Sequence, residues 1–279
     1  MGPRWSDQEE KIIIDKYSTG DKTEILRLIP NRTWNAIVLR ALRLGVSRKD
    51  FSNQSLRYGN LEKLLDGSLE ANYWIGFLLA DGNFSKRGGV NLRIGKADAE
   101  HIEKYASFLG TTPWYNQKRE EVDVSIQNPS VCEELSKRFS LTHRKTYTGA
   151  ILPDMNDDQF IALLVGFIDG DGNVCSSHRN NVWIRIGLHK SWSGFLESIS
   201  ERISRITGTD PVSVRCHGDR YSHLNIANLS VQSFIKTKAI EMGLPLMERK
   251  WDKIDSLRRS RKDKAAFLAD GKRLLWEHE

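Results

Sequence analysis

Two short stretches decide the fold of this chain, because they repeat one pattern. Residues 74–83 read WIGFLLADGN, and residues 164–173 read LVGFIDGDGN. Both are apolar runs with small residues four positions apart, at Gly76 and Ala80 in the first and at Gly166 and Gly170 in the second. Residues at i and i+4 share one helix face, so the pattern predicts two helices that pack backbone against backbone.

An aspartate closes each run, at Asp81 and Asp171, and a glycine follows it. Because glycine commonly ends a helix, both carboxylates are expected at helix C-termini. A negative charge there is unfavourable by about 0.3–1 kcal/mol. Two copies of an unfavourable arrangement indicate that the acids hold a positive species, such as a divalent metal ion shared by the two helices. The residues also permit a simpler interpretation, two core helices that each end in an ordinary Asp-Gly turn.

Three further short repeats follow the motifs in the same order, at growing separations. These are Arg93-Ile94-Gly95 with Arg185-Ile186-Gly187, Gly110-Thr111 with Gly208-Thr209, and Arg144-Lys145 with Arg249-Lys250. A period this long that occurs twice predicts two fused, pseudo-symmetric halves rather than a solenoid.

The paired motifs resemble those of the LAGLIDADG homing endonucleases, in the single-chain form with two motifs, over roughly residues 60–255. The resemblance implies an α+β fold, a pseudo-two-fold duplicated αββαββα unit. The motif helices would form the central interface and the two sheets a saddle over double-stranded DNA. The last acid of the family's motif corresponds to Asp81 and Asp171 in this chain, and the resemblance implies that both bind the catalytic metal. The other acidic position is Asp169 in one copy but Leu79 in the other, so we expect Asp169 to be dispensable.

Hydrolysis of a phosphodiester needs an activated water, neutralised charge and a stabilised leaving oxygen, which metal ions held by carboxylates supply. Oxygen-only ligands fit Mg²⁺ rather than zinc, and Mn²⁺ or Ca²⁺ is expected to substitute for binding. By resemblance, Lys145 and Lys250 lie near the scissile phosphate and complete the catalytic set with Asp81 and Asp171. A surface basic pair in each half is the alternative.

Composition agrees with an anionic partner inside a cell. The 279 residues carry a net charge of +6, and the pI is about 9.2, which suits nucleic acid. No apolar run approaches the roughly 18 residues of a membrane span, and the N-terminus is polar. Three scattered cysteines indicate reduced thiols rather than a zinc site or disulfides. We therefore expect a cytoplasmic, nucleoid-associated monomer with no contact to membranes.

The first fifty residues predict a separate bundle of three short helices. Ser6 and Glu9 form a capping-box pattern, and the third helix is expected from about Thr33 to Leu44. The stretch around Trp5 and residues 32–37 resembles Myb/SANT-like helix-turn-helix modules. Residues 25–49 hold no acid, which indicates DNA contacts or, alternatively, a solvated basic face. The proposed contacts are Arg32, Asn35, Arg40 and Arg43.

Alternating residues predict strands within 90–94, 121–126, 182–186 and 223–229. Their polar faces and neighbouring loops are the candidate DNA surface. Without the two motifs, a plain solvated sheet would be the preferred interpretation. The expected contacts are Lys86, Arg87, Arg93, Lys118, Arg119, Arg179, Arg185, Arg215 and Arg220.

These patterns divide the chain into five parts. They are a DNA-binding bundle at 1–50, a linker at 51–65, the two halves at 66–158 and 159–255, and a basic tail with an amphipathic helix at 256–279. The expected activity is site-specific cleavage of both strands of a long DNA target. Two alternatives remain, a catalytically silent DNA-binding regulator and an intron RNA maturase of the same fold.

Overall fold

A computed structural model describes residues 5–18, 20, 22–46, 59–176 and 182–259. The chain divides into two compact units, Met1–Arg57 and Tyr58–Glu279. The expected linker at 51–65 differs from the structure at its C-terminal end, where Leu61–Leu65 form a 3₁₀ helix. Leu61 and Leu64 are buried in the core of the large unit. Residues 51–58 lie outside the described part of the chain.

The small unit is the expected three-helix bundle. Its helices are α1 (Asp7–Lys16), α2 (Lys22–Leu28) and α3 (Trp34–Arg43). The predicted capping box begins α1, since the Ser6 side chain accepts from the Glu9 amide and the Glu9 carboxylate accepts from the Ser6 amide. One buried isoleucine from each helix, Ile13, Ile25 and Ile37, contributes to the unit's own core.

The large unit runs through one order of elements twice. The first half contains α4 (Leu69–Asp81), β1 (Asn83–Phe84), β2 (Gly89–Gly95), α5 (Ala99–Leu109), β3 (Trp114–Asn116), β4 (Glu121–Gln127), α6 (Pro129–Phe139) and α7 (Lys145–Thr148). The second contains α8 (Asp157–Asp171), β5 (Gly172–Ser176), β6 (Val182–His189), α9 (Ser193–Thr207), β7 (Arg215–His217), β8 (Tyr221–Ile226), α10 (Leu229–Glu241) and α11 (Glu248–Arg259). The predicted duplicated αββαββα architecture is confirmed, and a further helix closes each half.

Each half builds a four-stranded antiparallel sheet, in the orders β1-β2-β4-β3 and β5-β6-β8-β7. All four predicted strands are confirmed with ends that differ from the prediction by at most three residues, and the fourth is shifted toward the N-terminus, to Tyr221–Ile226. Alternate residues of β2 and β4 enter the core, including Leu92 and Val124. The opposite face is polar, with Arg93 paired to Asp123 in register. The equivalent register in the second sheet pairs Arg185 with Asn225.

The two motif helices α4 and α8 pack at the centre of the large unit. A Cβ on Gly76 would overlap the carbonyl oxygen of Leu163, and one on Gly166 would overlap that of Tyr73. These reciprocal contacts confirm that the backbones approach closely, as the small residues predict. Helices buried on nearly all sides are expected to be apolar all round, which explains why the motif lacks an amphipathic pattern.

The end of the chain differs from its expected division. Helix α11 runs from Glu248 to Arg259 and so crosses the expected boundary at residue 255. The remainder of the basic tail, with the amphipathic helix expected at 265–276, lies outside the described residues. Within the described ranges, no helix combines the length and the apolarity that crossing a membrane requires.

Candidate active site

The two motif aspartates lie at the C-termini of the central helices, as the sequence predicts. Asp81 ends α4 and Asp171 ends α8, and in each case the following glycine donates its backbone N–H to the helix. The two helix ends lie close together here. The Asp81 Oδ2 atom is 3.5 Å from the place that a Cβ on Gly170 would occupy. Burial, followed by the negative charge of Asp81, raises the pKa of Asp171 to about 6. Burial also raises the pKa of Asp81.

Two lysines cap the same helix ends. Lys145 Nζ donates to the carbonyl oxygens of Leu79 and Ala80, both at 2.6 Å. Lys250 Nζ donates to those of Ile168, Asp169 and Gly170, at 3.1, 2.5 and 2.7 Å. The last carbonyls of a helix have no partner within it and carry partial negative charge. The ammonium groups therefore offset both the helix dipole and the aspartates, and burial lowers the pKa of Lys145 to about 8.

The electrostatic pairing of these four groups crosses between the halves. Asp81 is influenced more by Lys250 than by Lys145, whereas Asp171 is influenced more by Lys145 than by Lys250. Each lysine thus caps the motif helix of its own half and acts more strongly on the aspartate of the other half. Both lysines therefore lower the pKa of both aspartates, and on each aspartate the larger effect comes from the lysine of the other half.

Asp169 lies directly behind this site and is almost completely buried, at 1% exposure. Its carboxylate accepts three hydrogen bonds, from the Tyr73 hydroxyl (2.8 Å), the Met247 amide (2.9 Å) and the Trp251 indole (2.7 Å). Burial raises its pKa to about 6. Three donors from α4, α11 and the segment before α11 meet at one acid. Sequence reasoning missed this role, because the partners are distant in the chain and Leu79 replaces the acid in the first half.

The lysine-bearing segments also dock across the two halves. Arg249 forms a bidentate ion pair with Asp98, with Nε–Oδ1 at 2.6 Å and Nη2–Oδ2 at 2.7 Å. In the opposite direction, the Trp192 indole donates to the carbonyl oxygen of Lys145 at 3.0 Å. The terminal segment of each half therefore contacts the 3₁₀ helix of the other half, Lys96–Asp98 or Lys190–Trp192.

Most of the expected DNA contacts of the large unit lie on the polar faces of the sheets or in their turns. Arg93 is half-exposed, with Nη1 at 3.6 Å from Glu121 Oε2, and Arg185 Nε donates to Asn225 Oδ1 at 2.9 Å. Exposed turn and edge positions hold the cations Lys86, Arg87, Lys118, Arg119, Arg215 and Arg220. Arg179 lies outside the described residues.

An aromatic cluster on the second sheet was missed by the sequence reasoning. The rings of His217 and His223 stack with centroids 5.0 Å apart, and Tyr221 lies 5.6 Å from His223. Burial, followed by Arg185, lowers the pKa of His223. Arg215 and His217 are two positions apart in β7, and Tyr221 and His223 are two positions apart in β8. This alternation is the signal that could have placed the four side chains on one face of the sheet.

Two arginines of the small unit have carboxylate partners within it. Arg32 Nε lies 2.7 Å from Glu9 Oε1, and its guanidinium lies over the Trp5 ring at 4.3 Å. Its hydrogen bond lowers the pKa of Glu9 to about 2. Arg40 pairs with Glu10. These contacts give both arginines a structural function that the acid-free run of sequence conceals, while Arg43 is exposed and the Asn35 side chain lies outside the described residues.

The donor set of the site is small and consists of oxygen atoms. In the described part of the chain, no group of three or more histidine, cysteine, aspartate or glutamate residues is arranged to hold a metal ion. The three cysteines are separate free thiols. Asp81 and Asp171 are the two carboxylates at the C-terminal ends of α4 and α8.

Comparison with known proteins gives structural likeness without sequence relatives. No family model matches the chain, and no curated protein matches it. Among solved structures it is similar to the LAGLIDADG homing endonuclease I-LtrWI bound to target DNA, at 12% identity and a TM-score of 0.46, covering 77% of this chain and 97% of that one. It is also similar to the LAGLIDADG meganuclease I-CpaMI bound to uncleaved DNA, at 11% identity and a TM-score of 0.47, covering 73% and 96%.

Proposed function

We propose that the chain is a site-specific, metal-dependent DNA endonuclease that acts as a monomer and cuts both strands of a double-stranded target. One observation carries this proposal: Asp81 and Asp171 meet at the ends of two tightly packed helices, each of which is capped by a partly buried lysine. Two nearly equivalent acid–lysine pairs in one chain match the two phosphodiesters that a double-strand cut requires.

The residues present fit Mg²⁺, because this ion prefers carboxylate oxygens and keeps part of its sphere for water and phosphate. When bound, such ions neutralise charge on phosphate and lower the pKa of water. Asp81 and Asp171 would hold them, and Mn²⁺ or Ca²⁺ would support binding. Lys145 and Lys250 bring positive charge to the same place, which stabilises the negative charge that develops on the reacting phosphate.

The polar faces of the two sheets are the proposed DNA surface. Arg93 and Arg185 occupy equivalent positions of β2 and β6, and the exposed lysines and arginines in the turns suit phosphates. An RNA maturase or a silent regulator would need such a surface but no acid pair. Both acids and both lysines are kept, which supports the enzyme over these alternatives.

The proposal is tested with a library of random DNA duplexes, since the target is unknown. The purified protein is incubated with the library and Mg²⁺, and ends created by cleavage are captured and sequenced. We expect one enriched target whose cleavage is abolished by a chelator, and binding without cleavage when Ca²⁺ replaces Mg²⁺. Enrichment of bound but uncut DNA in Mg²⁺ would support the regulator instead, and selective binding of structured RNA the maturase.

The small unit is proposed to extend recognition as a helix-turn-helix module. A chain beginning at Tyr58 keeps the whole core of the large unit. It also keeps Asn60, whose amide donates to Leu109 O at 2.7 Å. We expect it to cut at the same positions, but with a higher Kd and a flatter salt dependence, since phosphate contacts are lost. Quantitative footprinting measures both. A folded truncated chain with unchanged affinity would remove the small unit from DNA recognition.

A further inference from the structure

The two partly buried lysines of the site are held in place by different means. Lys250 lies on α11, a helix of 12 residues, whereas Lys145 begins α7, which has only 4. The position equivalent to Asp169 is Leu79, which is buried and apolar. The first half therefore has no buried carboxylate at this position, and the segment that carries Lys145 must be held by other residues.

The carboxylate of Asp169 ties α11 to the central helices. It accepts from the Met247 amide just before the helix and from the Trp251 indole one residue after Lys250. The backbone oxygen of the same residue accepts from Lys250 Nζ. One residue thus fixes the start of α11, its first turn and the ammonium group. A buried carboxylate costs free energy unless its hydrogen bonds are satisfied, and here the donors come from three separate parts of the chain.

The segment of Lys145 uses a neutral support from the other half. Trp192, which is 2% exposed, donates its indole N–H to the carbonyl oxygen of Lys145. Ser191 Oγ donates to the next carbonyl, that of Thr146, at 3.1 Å. The backbone at Lys145 is therefore held by the 3₁₀ helix Lys190–Trp192 rather than by an acid of its own motif.

We propose that Asp169 and Trp192 are separate positioning residues, Asp169 for Lys250 and Trp192 for Lys145, so that each sets the cleavage of one DNA strand. This inference rests on the proposed endonuclease activity. It follows from geometry: each residue contacts the segment of one lysine, and no hydrogen bond of the described residues links Asp169 to α7 or Trp192 to α11. The effects on the aspartates agree with this division, since Lys250 lowers the pKa of Asp81 more than Lys145 does, and Lys145 lowers that of Asp171 more than Lys250 does.

The test measures the rate of cleavage of each DNA strand separately, with a different label on each end of the selected target. Lys145→Met and Lys250→Met first identify the DNA strand that depends on each lysine. Asp169→Leu installs the residue of the first half, and Trp251→Phe removes one donor without changing the acid. Both are expected to slow the DNA strand that Lys250→Met slows, by about tenfold relative to the other strand. Trp192→Phe is expected to produce the opposite bias.

Gln232→Leu is the matched control for a general loss of stability. Gln232 is completely buried in the second half, and its amide donates to Val182 O and Ile226 O, in β6 and β8. It should lower the melting temperature without changing the ratio of the two rates. Equal slowing of both DNA strands by Trp251→Phe and Trp192→Phe would overturn the inference while leaving the endonuclease proposal intact. Absence of cleavage by the unaltered protein would instead overturn the endonuclease proposal.

Discussion

The two halves of the large unit share their active groups and differ in what supports them. Gly76 and Gly166 make reciprocal contacts, and Asp81 and Asp171 end equivalent helices. Behind these groups, one half has the buried apolar Leu79 and the other a buried acid. Under the proposed function, the two aspartates are equivalent because they act on two phosphodiesters of the same chemistry. The residues directly behind them, Leu79 and Asp169, are not equivalent.

The outer surfaces of the two sheets diverge more. The polar face of the first sheet combines Arg93 with the acids Asp123 and Glu121. The second has an aromatic cluster around His223 at the corresponding place, and the strands of the first sheet contain no histidine. A protein that reads an asymmetric DNA sequence needs different surfaces over its two half-sites, so this difference agrees with the proposed function.

The shared close contact of the motif helices should be the most sensitive feature. Gly76→Ala and Gly166→Ala each place a Cβ inside the backbone of the opposite helix. Overpacking against a backbone that cannot move aside is expected to lower the free energy of unfolding of the large unit by about 3 kcal/mol or more. Denaturant unfolding measures the effect, which should be similar for the two variants because their contacts are reciprocal.

Gly194→Ala is the control for the same substitution in a helix. Gly194 lies in α9, and apart from its chain neighbours and its own helix backbone no atom lies within 4 Å of the place where its Cβ would stand. Alanine favours helices over glycine, so this variant should be neutral or more stable by up to about 1 kcal/mol. If all three variants behaved alike, close approach of the central helices would not limit stability.

The acid pair should reduce stability when no metal ion is present. The pKa of Asp171 is about 6 in the folded protein, against 3.8 for an ordinary aspartate. Between these values the folded state binds more protons than the unfolded state, so the free energy of unfolding falls as the pH rises. Asp171→Asn removes this penalty and should stabilise the chelator-treated protein at pH 7 by about 1–3 kcal/mol.

Urea unfolding across the acidic range tests the sign of this prediction. The gain of Asp171→Asn should shrink as the pH falls and vanish below about pH 4, where the carboxylate is protonated in both states. Asp252→Asn, on the exposed side of α11, is the control and should stay within about 0.5 kcal/mol of the unaltered protein at every pH. A destabilising effect of Asp171→Asn at pH 7 would contradict this account of the Asp171 carboxylate.

The histidine cluster should give the smallest effect and confine it to the second half-site. Burial, Arg185, His217 and Arg215 lower the pKa of His223, so at pH 7 its ring is protonated less than that of an ordinary histidine. DNA phosphates favour the protonated form, so affinity should rise as the pH falls from about 7.5 to about 5.5. The gain should be below about tenfold, since such contacts are each worth about 1 kcal/mol or less. His223→Gln should flatten the profile, and changes in the first half-site of the DNA should leave it unaltered.

Local pattern was sufficient for the architecture and for the acids of the candidate site. The spacing of Gly76 and Ala80, the Asp-Gly ends and the alternating strands depend on neighbours in sequence, so they could be predicted. Contacts between distant residues could not. The pairing of Arg32 with Glu9 spans 23 residues, and the bond from Tyr73 to Asp169 spans 96. An acid-free basic run therefore suggested DNA contacts for Arg32 and Arg40, which also have structural partners.

The boundaries show the same limit. The polar composition of residues 51–65 predicted a linker, but Leu61 and Leu64 enter the core. Their burial depends on contacts with residues distant in the chain, so the local sequence does not show it. The replacement of Asp169 by Leu79 in the other copy suggested that the acid is dispensable, whereas its three donors give it a buried structural role. Whether cleavage tolerates its loss is still a prediction.

Cleavage of the selected target by Asp81→Asn and Asp171→Asn tests the central claim most directly. Strand cleavage in Mg²⁺ and DNA affinity in Ca²⁺ are measured for both variants beside the unaltered protein. Because each carboxylate is proposed to hold metal for the cleavage of one DNA strand, either substitution should reduce double-strand cleavage by about 100-fold or more, with affinity changed less than about tenfold. Double-strand cleavage at an unaltered rate by both variants would show that these two aspartates do not form the catalytic site.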